Sequence, residues 1–280
     1  MIPASFDYTR AASLDDALEL MAGADPSIRV LAGGQSLIPL MKLRLARPER
    51  LVDLGRVAEL RGICDRDDGG LAIGALTTWA ALLDDPRVLR YGALADALPV
   101  IGDVQVRNRG TIGGSLAHAD PASDIAAPAL ALEMELVARS AARGPRVIPA
   151  SEFFLGPFAT ALQPDEILVE VRLPPIAAGR VSAYRALPQP ASGYPIAGVA
   201  VVLGGVNRSV IGVTGVGEQP YRAVETEQAV ADGAPFADAA VSIAAGQRIA
   251  SDIHADRDYR AAMAVVMTRR AVEAAVVRLG

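Results

Sequence analysis

Two passages with paired glycines constrain the fold of this chain more than any other feature of the sequence. Gly33-Gly34 and Gly113-Gly114 each end a β-prone run, and a serine follows each pair within two residues. Glycine has no Cβ, so backbone N–H groups at such turns can approach an anion closely, and a hydroxyl adds another donor. Two such loops suit a pyrophosphate with two phosphates to hold, although a single glycine pair more often marks an ordinary tight turn.

The spacing of the glycines disfavours the two commonest nucleotide-binding motifs. Neither passage matches the GxGxxG pattern of a dinucleotide-binding βαβ unit or the GxxxxGK[ST] pattern of a P-loop. A third glycine cluster, Gly212 to Gly217, has the reverse spacing, and we interpret it as the end of a strand. A Rossmann fold or a P-loop is therefore poorly supported.

Composition excludes several classes of function. The single cysteine, Cys64, cannot form an internal disulfide or hold a metal or an iron–sulfur cluster by cysteine ligation, and the two histidines lack HExxH spacing. The net charge of −5, with no basic block, disfavours nucleic acid as a partner. No apolar run reaches the roughly 18 residues that cross a membrane, and we read no signal peptide, so we expect a soluble cytoplasmic protein. Any redox centre should be organic and bound non-covalently.

The length of 280 residues suggests roughly two domains. Apolar periodicity predicts a first lobe over about residues 1–55 and a second over about 56–175, ending near Pro174-Pro175. The elements predicted in these lobes are helices at 13–22 (capped by Ser13), 78–83, 88–98 and 125–132, and strands at 28–32, 51–54, 71–74 and 135–139.

Residues 176–280 have a different order of elements. The predicted strands come first, at 181–187, 196–203 and 210–216, and helices follow near 223–231, 236–249 and 259–279. Three strands followed by helices are typical of an α+β domain rather than a wound parallel sheet.

Two side chains near the second glycine pair have alternative interpretations. Asp124 precedes an apolar segment, where its carboxylate could cap a helix. Ser115 could be the nucleophile of a hydrolase, but Ala117 stands where GxSxG requires glycine, and His118 is too close for the usual triad order. A serine hydrolase is therefore much less favoured.

Longer stretches around both glycine pairs match one known family. The matching stretches are AGGQSL at 32–37, LMKLR at 40–44 with Pro48, LVD at 51–53, TIGGS at 111–115, ADP at 119–121 with Asp124, PASGY at 190–194, and DIHA at 252–255 before Thr268-Arg269-Arg270. On these residues the chain resembles the FAD-binding medium subunit of molybdenum hydroxylases, the group of aerobic carbon monoxide dehydrogenase and xanthine dehydrogenase. The resemblance covers essentially the whole chain, and the two glycine motifs at this separation are highly specific.

This resemblance implies a fold and a cofactor. The fold would be α+β: a two-lobed FAD-binding domain of the vanillyl-alcohol-oxidase (PCMH) type over 1–175, then an α+β C-terminal flavoprotein domain with a three-stranded sheet and helices over 176–280. Both glycine passages would bind the pyrophosphate of a non-covalent FAD, and Asp124 would accept hydrogen bonds from its sugar or ribityl hydroxyls. The cofactor-binding residues that the resemblance implies are Ala32, Gly33, Gly34, Gln35, Ser36, Leu37, Ile101, Thr111, Gly113, Gly114, Ser115, Asp124, Leu168, Arg185 and Tyr194.

Four of those residues border the flavin only by the resemblance. Ile101, Leu168 and Arg185 match positions beside the flavin in xanthine dehydrogenases, and Tyr194 could lie against the isoalloxazine ring. From residue type alone, the two aliphatic residues would be assigned to the core, the arginine to the surface and the tyrosine to a packing role.

The resemblance also implies partners and assigns no catalytic residue or metal ligand to this chain. Electrons would leave a molybdenum cofactor on a large subunit and pass through two [2Fe–2S] clusters on a small subunit. They would then reach the FAD of this chain, which would deliver them to NAD+, a quinone or oxygen. The complex would be a dimer of heterotrimers. The alternative is a cofactor-free scaffold subunit of the same fold, and flavin content distinguishes the two.

Overall fold

A small parallel sheet forms the first lobe and leads into the first glycine passage. The computed structural model describes residues 2–204 and 208–279. The elements of this lobe are β1 (Asp7–Arg10), α1 (Leu14–Met21), β2 (Ile28–Leu31), α2 (Leu37–Lys42) and β3 (Arg50–Asp53). The strands lie parallel in the order β1-β3-β2. The first glycine passage therefore connects the carboxyl end of an edge strand, β2, with α2.

The predicted first helix and both predicted strands of this lobe are confirmed. The Ser13 hydroxyl accepts a hydrogen bond from the Asp16 N–H at 3.1 Å and so caps α1. Four of its five apolar residues are buried, and these four repeat at i, i+3, i+4, i+7 along one face: Leu14, Ala17, Leu18 and Met21. That apolar face packs into a core cluster of its own with residues of β2 and β3.

An antiparallel sheet surrounded by short helices forms the second lobe. Its elements are β4 (Ile63–Asp65), β5 (Leu71–Gly74), α3 (Trp79–Leu83), α4 (Pro86–Leu89), α5 (Gly92–Ala97), α6 (Val104–Arg109), α7 (Ile112–His118), α8 (Ala126–Ala131), β6 (Glu135–Ser140), β7 (Gly144–Pro149), α9 (Ala150–Phe153), β8 (Phe154–Gly156), β9 (Ala159–Thr160) and β10 (Ile167–Leu173). Five strands pair in the order β4-β5-β10-β6-β7. The second glycine pair lies inside α7, at its first turn.

The predicted single helix over 88–98 is wrong, because the structure divides it into α4 and α5. The first of these helices begins at Pro86, capped by Asp85, and ends at Leu89. Gly92 then begins α5 where the chain presses against β11 of the C-terminal domain, and a Cβ at this position would overlap the carbonyl oxygen of Ser182. Apolar periodicity continues across this break and therefore cannot reveal it.

The C-terminal domain is a sheet with one long helix on one of its faces. Its elements are β11 (Val181–Pro188), β12 (Pro195–Leu203), β13 (Ser209–Thr214), β14 (Tyr221–Arg222), α10 (Val224–Ala231), α11 (Phe236–Ala239) and α12 (Arg257–Val277). The strands are antiparallel in sequence order. Two expectations need correction: a fourth strand of two residues joins the predicted three, and the helix predicted over 236–249 is only α11 followed by a 3₁₀ turn over Ala240–Ser242.

Strand β12 is buried along its whole length because the sheet is covered on both faces. Helix α12 packs against one face, and α5 and α8 of the second lobe pack against the other. Four residues of the C-terminal sheet therefore belong to the core of the second lobe: Tyr184, Ala200, Val202 and Val210. The C-terminal domain thus shares a continuous core with the lobe that carries the second glycine passage.

Candidate functional site

A cleft of about 790 Å³ lies between the two lobes, and residues 192–194 of the C-terminal domain line part of it. Its volume is in the range of pockets that hold cofactors and small molecules. Every residue predicted for the site, except Arg185, lines this cleft. Those residues are Ala32, Gly33, Gly34, Gln35, Ser36, Leu37, Ile101, Thr111, Gly113, Gly114, Ser115, Asp124, Leu168 and Tyr194.

The first glycine passage lines the cleft with hydrogen-bond donors that the protein does not use. Within residues 2–204 and 208–279, no acceptor bonds the backbone N–H groups of residues 33–37. Gly34 has a φ of 77°, in the left-handed region that favours glycine. The hydroxyl of Ser36, directly before α2, makes no capping bond to that helix. Consecutive unused N–H groups of this kind favour the binding of an anion.

The second glycine passage has the opposite arrangement, because its N–H groups are bonded within the protein. The N–H groups of residues 112 and 113 donate to the carbonyl oxygens of Thr77 and Ala75, at 3.1 and 2.9 Å. The Thr111 hydroxyl caps α7 by accepting a bond from the Gly114 N–H at 3.1 Å. Binding of the pyrophosphate by both passages stays a prediction: the second passage can offer hydroxyl groups, but these backbone donors are already bonded.

The two passages pack directly on each other, and this packing requires the glycines. A Cβ on Gly33 would overlap the carbonyl oxygen of Arg109, just before the second passage. A Cβ on Gly113 would overlap the Ala75 side chain and lie 2.7 Å from its carbonyl oxygen. Backbone atoms cannot move aside as a flexible side chain can, so a methyl group at either position would displace part of the cleft wall.

Asp124 lies at the wall of the cleft and is only 8% exposed. Its Oδ1 accepts a hydrogen bond of 2.7 Å from the Tyr184 hydroxyl. The interpretation as a helix cap is wrong, since α8 begins at Ala126 and Ile125 stands at its N-cap without a side-chain bond. Burial raises the pKa of Asp124 to about 7, although the Tyr184 bond favours the ionised form. Burial and the neighbouring carboxylate hold the pKa of Tyr184 well above its usual value.

Of the four residues that only the family resemblance places beside the flavin, three line the cleft. Leu168 is buried in the core of the second lobe, and Ile101 packs against that core from a more exposed position. Tyr194 is 45% exposed and belongs to a loop closed by a 2.8 Å hydrogen bond from the Gln189 N–H to its carbonyl oxygen. An aliphatic residue in the wall and a half-exposed tyrosine on a loop can both contact a flat ring.

Arg185 is the one predicted site residue that the structure does not bring into the cleft. Its guanidinium forms an ion pair of 2.8 Å with Asp96 of α5 and donates to the carbonyl oxygen of Tyr184. Asp96 also pairs with Arg278 near the end of α12, so the three charges tie the C-terminal domain to the second lobe. The expected place of Arg185 beside the flavin stays a prediction, and the contact that the structure shows for this side chain joins the two domains.

The cleft contains an aromatic pair that the sequence does not suggest as a site. The rings of His118 and Phe158 lie 5.1 Å apart between centroids and both line the cleft. Burial lowers the pKa of His118, although the charge of Asp120 opposes this shift. His118 ends α7, and Phe158 lies in the turn between β8 and β9 with a φ of 54°. No local pattern in the sequence indicates that these two rings meet.

The described residues provide neither a metal site nor a membrane span. No group of three or more His, Cys, Asp or Glu side chains in residues 2–204 and 208–279 could hold a metal ion. In the same part of the chain, no helix combines the length and apolar character needed to cross a membrane. Cys64, the single cysteine of the sequence, is exposed on β4.

Two family models together match almost the whole of the described chain. Residues 4–176 match the family model of the FAD binding domain in molybdopterin dehydrogenase, and residues 182–275 match that of the CO dehydrogenase flavoprotein C-terminal domain. The carbon monoxide dehydrogenase medium chain of Hydrogenophaga pseudoflava is 40% identical, with 99% of each chain covered. A subunit of the 6-hydroxypseudooxynicotine dehydrogenase complex of Paenarthrobacter nicotinovorans is 36% identical, with 99% of this chain and 97% of the relative covered.

Solved structures agree with these sequence relatives. The structure of carbon monoxide dehydrogenase from Hydrogenophaga pseudoflava matches with a TM-score of 0.92 and 39% identity over 99% of each chain. Quinoline 2-oxidoreductase from Pseudomonas putida 86 matches with a TM-score of 0.89 and 32% identity over 100% of this chain and 99% of the other. The chain belongs to the FAD-binding medium subunits of the molybdenum hydroxylases, which confirms the family resemblance and the fold class expected from the sequence.

Proposed function

We propose that this chain is the electron-transfer subunit of a molybdenum hydroxylase complex and holds FAD non-covalently in the cleft. When bound, FAD would supply the redox chemistry, taking electrons from [2Fe–2S] clusters of a small partner subunit and passing them to an external acceptor. The observation that carries the proposal is the run of unused N–H groups at residues 33–37, in a chain whose family binds FAD. Oxidation of the substrate would take place on a large subunit with a molybdenum cofactor.

The residues of the cleft fit the chemical parts of FAD. The first glycine passage offers backbone donors, and Ser36 a hydroxyl, to a negatively charged pyrophosphate. Thr111 and Ser115 add hydroxyl groups from the second passage, although one already accepts a capping bond and the other is bonded to Ser123. Asp124 provides a carboxylate acceptor for a sugar or ribityl hydroxyl.

The remaining cleft residues would orient the ring system. Ile101 and Leu168 provide apolar surface, and Tyr194 provides an aromatic face at the C-terminal side of the cleft. We propose that these three contact the isoalloxazine ring and keep water away from part of it. The roles of the individual residues, the acceptor and a cytoplasmic location stay predictions.

The two alternatives receive less support from the same residues. A serine hydrolase would need Ser115 beside a base, but its hydroxyl is paired with Ser123 at 3.0 Å, and the ring of His118 packs against Phe158. A cofactor-free scaffold would have no use for a cleft of about 790 Å³ lined by unused donors. The proposed function makes use of both features.

Flavin content tests the proposed function directly. The full chain is purified with and without its co-expressed partner subunits, and any flavin released by denaturation is identified by chromatography. We expect about one FAD per chain and an absorption spectrum that bleaches on reduction. A chain that binds no FAD, even after reconstitution with FAD and the partner subunits, would overturn the proposal in favour of the scaffold.

Co-purification tests the proposed assembly. We expect the chain to copurify with a small iron–sulfur subunit and a large molybdenum-cofactor subunit as a dimer of heterotrimers. The mass of the complex in solution distinguishes this assembly from a single heterotrimer. Electron transfer is then tested by following bleaching of the FAD when the assembled complex receives its substrate.

A further inference from the structure

Tyr184 reaches from the C-terminal domain into the core of the second lobe and ends at Asp124. It belongs to β11, its side chain is buried, and its hydroxyl donates to Asp124 Oδ1 at 2.7 Å. Tyr184 itself does not line the cleft, whereas Asp124 does. The tyrosine can therefore act on a bound cofactor only through the carboxylate.

We propose that Tyr184 is a positioning residue for FAD: its hydroxyl holds one oxygen of Asp124 and leaves Oδ2 available as an acceptor for a hydroxyl group of the cofactor. No other residue of the described chain donates a hydrogen bond to Oδ2. A carboxylate has acceptor capacity for both bonds at once. The inference rests on the proposed function, because it requires FAD in the cleft.

The backbone that carries Asp124 is held by the same domain. The Thr214 hydroxyl, at the end of β13, lies 2.8 Å from the Pro121 carbonyl oxygen and 3.0 Å from that of Ser123. The Gly215 N–H donates to the Pro121 carbonyl oxygen at 2.8 Å. The C-terminal domain thus holds the segment before α8 through its backbone and, through Tyr184, fixes the side chain at the end of that segment.

Strand β12 leaves space for the tyrosine. A Cβ on Gly198 would overlap the Tyr184 hydroxyl oxygen and would lie 2.8 Å from Cγ2 of Thr214. Glycine in the interior of a strand costs stability, because it has no side chain to pack and a larger loss of backbone entropy. Its presence here allows the phenol ring to extend to Asp124.

The ionisation of Asp124 makes this arrangement measurable. Burial raises its pKa to about 7, and the Tyr184 hydrogen bond opposes that rise by stabilising the carboxylate. His118 and Tyr194 are titratable groups that line the same cleft. Burial raises the pKa of Tyr194, and the charges of Asp120 and Asp124 raise it further. Because the ionised carboxylate is the stronger acceptor, FAD affinity should fall as Asp124 becomes protonated. Removal of the Tyr184 hydroxyl should move that fall to higher pH.

A pair of matched variants tests the role of Tyr184. FAD is titrated into the FAD-free full chain by flavin fluorescence across about pH 5.5 to 9, a range that spans the protonation of Asp124. For Tyr184→Phe we expect roughly tenfold weaker FAD binding at pH 7 and a midpoint of the pH profile about one unit higher. The control is Tyr221→Phe, another buried tyrosine of the C-terminal domain whose hydroxyl donates to the Ile243 carbonyl oxygen and which does not line the cleft. The control should leave both quantities unchanged.

The outcomes separate positioning from a purely structural role. Weaker binding of Tyr184→Phe at every pH, with an unmoved midpoint, overturns the proposal, as does binding equal to that of the unaltered chain. If Tyr184→Phe does not fold, Asp124→Asn replaces it: we expect FAD binding that no longer varies with pH across this range, and an unchanged pH profile overturns the proposal. Failure of the unaltered chain to bind FAD at any pH, both alone and with its partner subunits, overturns the proposed function itself.

Discussion

The two glycine passages have similar sequences, but their backbone N–H groups have different hydrogen-bond partners in the structure. In the first, the N–H groups of residues 33–37 have no acceptor among the described residues and line the cleft. In the second, the equivalent donors are bonded to Thr77, Ala75 and the capping hydroxyl of Thr111. The comparison teaches that a glycine pair followed by a serine can either present its backbone to a ligand or bring two segments of backbone together.

The difference depends on which carbonyl oxygens lie next to the N–H groups of each passage. The chain after β5 runs beside the start of α7, so carbonyl oxygens of residues 75 and 77 are available to its first N–H groups. Among the described residues, no carbonyl oxygen accepts a hydrogen bond from the N–H groups that lead into α2, and Ser36 does not cap this helix. The first passage is therefore left with donors for a ligand, and the second forms a rigid wall behind them.

The largest effect is expected where the passages touch. Gly33→Ala places a methyl group against the Arg109 carbonyl oxygen, so the first passage must move away from the second. We expect FAD affinity to fall roughly a thousandfold, which is about 4 kcal/mol. The measurement is a titration of the FAD-free chain with FAD. Gly23→Ala is the control, because a Cβ there would have no neighbour within 4 Å; a Gly33→Ala chain that binds FAD as well as this control would refute the arrangement.

A substitution in the second passage should mainly lower the stability of the folded chain. Gly113→Ala forces the start of α7 away from Ala75, and we expect the free energy of unfolding of the FAD-free chain to fall by about 3 kcal/mol. Urea denaturation measures this change. If Gly113→Ala instead abolishes FAD binding and leaves the unfolding free energy unaltered, the second passage is a ligand site like the first and the comparison fails.

The second passage also leads the chain to Asp124, whose buried carboxyl should make stability depend on pH. Its folded pKa of about 7 lies above the ordinary aspartate value of 3.8, so the folded chain binds more protons than the unfolded chain between those values. Acidification from pH 8 to pH 5 should therefore stabilise the FAD-free chain by about 3 kcal/mol through this group. Asp124→Asn should lose that increment in urea denaturation at the two pH values. An equal pH effect in the variant would assign it to other groups.

The sequence predicts the strongly patterned elements and the lining of the cleft better than it predicts the hydrogen bonds within it. The helix capped by Ser13 follows apolar periodicity, and strands β12 and β13 are recognisable as short, almost wholly apolar runs bounded by turn residues. Whether an N–H at Gly113 is free depends on Ala75, 38 residues earlier in the chain, and local pattern contains no such information. Strand β14 is not predicted for a different reason: two residues are too few to show a period.

Removing one serine hydroxyl from each passage compares their contributions to FAD affinity and to stability. Ser36→Ala removes a hydroxyl that lines the cleft without capping α2, so we expect FAD affinity to fall about tenfold, with no loss of stability. Ser115→Ala removes a hydroxyl that is 3.0 Å from that of Ser123, so we expect stability to fall by about 1 kcal/mol and FAD affinity to change less than for Ser36→Ala. FAD titration and urea denaturation of both variants give the comparison; equal effects on FAD affinity would contradict it.

The smallest effect is expected at Arg185, which the sequence assigns to the flavin and the structure assigns to the contact between domains. Its ion pair with Asp96 is partly exposed, and that carboxylate keeps Arg278 as a second partner, so Arg185→Ala should lower the unfolding free energy by less than about 1 kcal/mol. FAD affinity should stay within about twofold of the unaltered chain, as for the exposed control Arg248→Ala. A tenfold loss of FAD affinity confined to Arg185→Ala would mean that the guanidinium turns towards the cofactor when it binds. The cleft would then extend along β11, and the glycine passages would not be the only source of charge complementarity to FAD.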